Sequence, residues 1–132
     1  MSAFFLSALI LVSFDSSLAR ADNVSMAWDF VEKSRGADAP SPEIVLTGLP
    51  KEACRVTFTM RDLDRPAIDH GGGGMKFEKG TEKLVVPTGK LKRGYNGPRP
   101  PSGETHKYAL TAKIYEENDK VLAEVTEVRP FK

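Results

Sequence analysis

Two polar segments of this 132-residue chain hold most of the side chains that could do chemistry. The first, residues 62–70, contains Asp62, Asp64 and His70; the second, residues 95–108, contains Tyr95, Asn96, Arg99, His106 and Tyr108. Imidazoles, phenol hydroxyls and loop amides donate hydrogen bonds, and a carboxylate beside a histidine favours its charged form. Other chemistries lack their spacing. Asp62, Asp64, His70 and His106 include no H-x-x-x-H pair, so no metal and no other cofactor is expected. No serine sits in G-x-S-x-G, and no Gly-Lys-Ser/Thr follows the four glycines at 71–74, which removes the nucleophile elbow and the phosphate loop. Asp62 and Asp64 form a carboxylate pair, but nothing else points to a glycosidase.

Period-two alternation supplies the elements that must position these residues. Cys54, Val56, Phe58 and Met60 alternate with Arg55, Thr57, Thr59 and Arg61, the pattern of a strand with one dry face. Asp62 continues the dry parity, where a carboxylate is costly without donors. It is therefore expected to cap loop amides or to line a pocket at the sheet's edge. His106 and Tyr108 open a second dry face, continued by Leu110, Ala112 and Ile114. A lone histidine there is more often a satisfied core residue than a ligand. A turn at 117–120 returns the chain as a strand over 121–128, completing a hairpin. Shorter strands are expected at 24–30, 43–46 and 83–86, and one helical turn at 30–34. Residues 70–74 and 94–103 read as loops, the second stiffened by prolines and open to close approach at its glycines. About seven short strands with Pro- and Gly-rich links predict an all-β antiparallel sandwich or open barrel.

The chain begins with a nearly continuous apolar run at 3–14, broken by Ser7 and Ser13 and followed by Ala19-Arg20-Ala21. This is the layout of a secretory signal peptide, although no Lys or Arg precedes the run. The run is well short of the ~20 residues of a membrane anchor. Cleavage is expected after Ala21, leaving one periplasmic or secreted domain over 22–132. With 19 basic and 18 acidic residues, the net charge of +1 gives no steering toward nucleic acid. Membrane contact is expected at most through lipid headgroups. Cys54 has no partner within the chain and, from its strand parity, is expected to be a buried, inert thiol.

Ser41-Pro42-Glu43, then Asp62-Leu63-Asp64-Arg65-Pro66 with His70, then Gly94-Tyr95-Asn96-Gly97-Pro98-Arg99-Pro100-Pro101-Ser102-Gly103-Glu104-Thr105-His106-Lys107-Tyr108, occur in that order. The series resembles the phosphatidylethanolamine-binding protein family, also called the Raf-kinase-inhibitor-like family. Its marks are an S-P before a strand, D-P-D-x-P at a strand's end, an H-W pair, and G-x-x-P-P-x-G-x-H-R-Y. The resemblance implies an antiparallel β-sandwich of that type, with little helix and a small pocket for phosphate, phosphate esters or other small anions. It implies that Asp62, His70, Gly97, His106 and Tyr108 line the pocket and that Asp64 and Pro66 shape the turn. The chain departs from the pattern at Leu63, at Lys107 and at Gly71, which stands where the family has tryptophan. Because that tryptophan would form a pocket wall, the site is expected to be either more open or lost.

The leading expectation is a non-catalytic, exported binding protein for a small anion, a phosphate ester or a phospholipid headgroup. A second is an interaction or inhibitor protein that meets a protein partner through the 94–103 loop, with Tyr95 and Arg99 on the rim and a vestigial pocket. A third is a small hydrolase using His70 or His106 as general base.

Overall fold

The computed structural model describes residues 23–31, 35–91 and 94–132. The proposed signal segment and most of the expected helical turn at 30–34 lie outside the described residues. Among the described residues there is no helix. Seven strands follow in order: β1 (Ser25–Trp28), β2 (Ile44–Thr47), β3 (Arg55–Asp62), β4 (Asp69–Lys76), β5 (Lys83–Val86), β6 (His106–Tyr115) and β7 (Val121–Phe131). They form two antiparallel sheets, one of order β1-β2-β5 and one of order β4-β3-β6-β7. The fold is all-β, as the alternation and turn spacing predict.

The alternation also explains the layering. Val56, Phe58 and Met60 of β3 and Tyr108, Leu110, Ala112 and Ile114 of β6 are buried, while Thr59, Arg61, Lys107 and Lys113 face water. Ile44 and Leu46 of β2 and Leu84 and Val86 of β5 supply the opposing layer, and all of these residues belong to one apolar cluster. Burying each large aliphatic or aromatic side chain contributes about 1.5–3 kcal/mol, so this shared layer is what joins the sheets. Their edges are also stitched together. The Trp28 indole donates to the Glu127 carbonyl (3.1 Å), and the Arg129 Nε donates to the Trp28 carbonyl (3.0 Å).

The structure changes three expectations. The glycine run is a strand, β4, rather than a loop. β7 continues past Val128, with Pro130 paired to Lys107 on the sheet's outer edge, where a missing N–H does least harm. Cys54 stands just before β3 and is half-buried rather than fully covered, beside a cavity that Arg55, Lys76 and Phe77 also line.

Candidate functional site

β3 ends, and β4 and β6 begin, at the same end of the larger sheet. Asp62, His70 and His106 therefore meet there, and register places Asp62 opposite Tyr108. Asp62 is buried at the end of the dry face, and its carboxylate finds the donors that burial demands. Oδ1 accepts from the Asp64 amide (2.8 Å) and the Arg65 amide (3.1 Å), which fixes the turn after β3. Oδ2 accepts from His106 Nδ1 at 2.6 Å. Asp64 in turn accepts from the Lys107 amide (2.8 Å), pinning this turn to β6.

Electrostatics follow from that geometry. Burial pushes the Asp62 carboxyl up, but the His106 hydrogen bond and the Asp64 amide outweigh it and hold it below its ordinary value. The same hydrogen bond raises His106 above its ordinary value, against the opposing effect of burial. Each shift favours the charged form of its group, so the two stabilise each other's charge. Burial, reinforced by the Asp62 charge, pushes the Tyr108 phenol up to about 12, so it stays protonated. The Tyr108 hydroxyl lies near Asp62 and the Arg99 amide but has no hydrogen-bond partner.

His70 is held from the other side. Its Nδ1 donates to the Asn96 carbonyl and its own carbonyl accepts from the Asn96 amide, both at 2.8 Å. Its ring meets Tyr108 edge-on at 5.3 Å, and its Nε2 is buried without a partner. Gly71 makes this clasp possible. With φ at +68°, a Cβ there would lie 1.4 Å from the Gly94 carbonyl oxygen. The space a side chain at position 71 would take is therefore occupied by the backbone of Gly94.

The space between these elements is a cavity of about 260 Å³. Asp62, His70, Asn96 and Gly97 line it, with Pro100, Pro101 and Ile68 as apolar wall and Arg35, Arg65 and Arg99 around them. Gly97 brings Arg35 in. A Cβ on Gly97 would lie 2.5 Å from the Gly36 carbonyl oxygen, and the Gly36 amide donates to the Pro98 carbonyl (2.9 Å). Arg35 itself donates to the Pro100 carbonyl.

Of the residues expected at the site, Asp62, His70 and Gly97 line the cavity and Arg99 stands on it. His106 and Tyr108 do not form its wall. They stand behind it, His106 against Asp62 and Tyr108 against His70. Tyr95 corrects the expectation of a rim residue: it is buried in the core and lines a different cavity with Ala39 and Ser41. Ser41 serves structure too, accepting from the Leu91 amide at 3.0 Å. Arg35 and Arg65 were missed, because an exposed arginine in a loop carries no periodic signal. Asp62, Asp64 and His106 also bring three metal-ligating atoms within 4.8 Å of one another. Each of these side chains is already engaged in the hydrogen bonds that hold β3 to β6.

No family model matches the chain, and no curated protein matches it. Among solved structures, one assigned to a β-galactosidase of Bacteroides fragilis is similar over 80% of this chain, with 16% identity and a TM-score of 0.47. The chain spans about 15% of that protein's length.

Proposed function

We propose that this chain is an exported, non-catalytic binding protein of the phosphatidylethanolamine-binding type, whose pocket takes a small oxyanion such as phosphate, a phosphate ester or a phospholipid headgroup. The observation that carries this reading is the convergence of Arg35, Arg65 and Arg99 on one small cavity that His70 also lines. Guanidinium groups are always charged and match the planar oxygen pairs of such anions. Asp62 does not cancel them, because its charge is met by His106 and two amides. His106, set behind Asp62 and bonded to it, is badly placed for a general base. Export rests on the apolar run at 3–14 and the Ala19-Arg20-Ala21 that follows.

Titration of the purified chain with phosphate and with phosphorylethanolamine, followed by NMR, tests the proposal. The expected result is saturable movement of the His70 ring and the Gly97 amide, weakened in Arg65→Ala and Arg99→Ala. Resonances that stay still at millimolar ligand remove the pocket as a binding site.

A further inference from the structure

The cavity's donors and acceptors are unevenly matched, and the mismatch bears on which oxyanion fits. This step rests on the anion-binding reading above. Arg35, Arg65 and Arg99 offer only donors. Facing them are acceptors, with the Tyr108 hydroxyl, a donor, near Asp62. An ionised carboxylate has about four acceptor positions; the Asp64 and Arg65 amides and His106 fill three on Asp62, leaving one open on Oδ2. Since the Asn96 carbonyl cannot donate, His70 Nδ1 must carry the proton of their bond. In the neutral ring Nε2 is then an acceptor, and it is buried with no partner. Asn96 Oδ1 is a third acceptor in the same condition.

An anion whose oxygens are all ionised or esterified satisfies the arginines but sets its lone pairs against those of Asp62. An oxyanion that keeps one O–H satisfies both sides. We infer that the site selects a proton-bearing oxyanion, hydrogen phosphate or a phosphate monoester, and discriminates against sulfate and phosphodiesters. The ligand's own hydrogen would bond to Asp62 Oδ2 or His70 Nε2 while its ionised oxygens meet the arginines.

Calorimetric titration of the purified chain at about pH 5.5 tests this with one charge-matched pair of esters, and with phosphate against the dianion sulfate as a second pair. Below its second pKa of about 6, methyl phosphate is mostly a monoanion with one O–H; dimethyl phosphate is a monoanion with none. We expect methyl phosphate to bind about tenfold or more tightly than dimethyl phosphate, and phosphate to exceed sulfate by a similar factor. Asp62→Asn, with its fold checked by the amide spectrum, should bring both ratios toward one. Should that variant not fold, the wild-type ratios still decide. Equal affinities within each pair, or ratios that Asp62→Asn leaves unchanged, overturn the inference while the anion reading stands. Tighter binding of glycerophosphoethanolamine than of methyl phosphate also overturns it, in favour of a lipid diester. If none of these anions binds, both readings fall.

Discussion

At one end of the β3–β6 pair, Asp62 meets His106 at 2.6 Å, with only 4% and 5% of their side chains exposed. At the other end Arg55 meets Asp119 at the same distance, but 80% of the Asp119 side chain is in water. Close by, Lys79 meets Glu117 at 2.8 Å, again in the open. Cavities are present at both ends, and the two beside Glu117, of about 320 and 390 Å³, are larger than the one beside Asp62. Neither distance nor volume separates the two ends. What separates them is whether the polar atoms have exchanged water for fixed partners. Exposed pairs contribute little, because solvent screens them and ordering them costs side-chain entropy. A covered pair cannot lose one member without stranding the other.

The comparison can be broken most severely at Gly71. Gly71→Ala should lower stability by about 3 kcal/mol or more in urea unfolding, since backbone cannot yield to a Cβ as a flexible side chain can. Gly80 also has a positive φ but faces open space, so Gly80→Ala should cost only about 1–2 kcal/mol. Equal losses would mean that the contact with Gly94 does not hold the 94–103 loop. Asp62→Ala should come next, at about 2 kcal/mol, because it strands His106 and the Asp64 and Arg65 amides together.

A smaller effect is a stability plateau in pH. The lowered carboxyl of Asp62 contributes above its unfolded value of about 4, and the contribution fades as acid takes the pH down through its folded value. The raised imidazole of His106 contributes fully below about 6.5, and the contribution fades as the pH climbs through its folded value. Urea midpoints should therefore be highest between about pH 4 and 6.5, and His106→Gln should flatten the alkaline decline. Smallest of all, Lys79→Ala should leave the unfolding midpoint unchanged within error. A clear drop would show that the exposed end is not the weak one.

Much of this architecture is legible in the residues. The parity from Val56 to Met60 carries on to Asp62, so one pattern gives both the dry face of β3 and the acid that ends it. Asp62 turns out to do both things its burial suggested, capping two amides and lining a pocket. β4 is illegible for a physical reason. Glycine reads as loop because it has no side chain to alternate, yet that same lack lets Gly71 and Gly74 lie against neighbouring backbone. Tyr95 deceived for the opposite reason. Its glycine- and proline-rich neighbours suggest an exposed loop, but the loop folds inward and covers the ring. The three arginines come from separate loops, and only the assembled turns at 35–36, 62–68 and 94–101 bring them together.

Trp28 gives the molecule an optical address. It is the chain's only tryptophan and is almost fully covered, with its indole bonded across the seam to β7. Phe30 packs edge-on against it at 4.8 Å and against Tyr108 at 5.4 Å, and Tyr108 packs against His70. Emission from this one fluorophore thus has a single origin, and its colour records whether the two sheets are closed on each other. An unbroken file of rings runs from that reporter to the His70 side of the arginine-lined cavity.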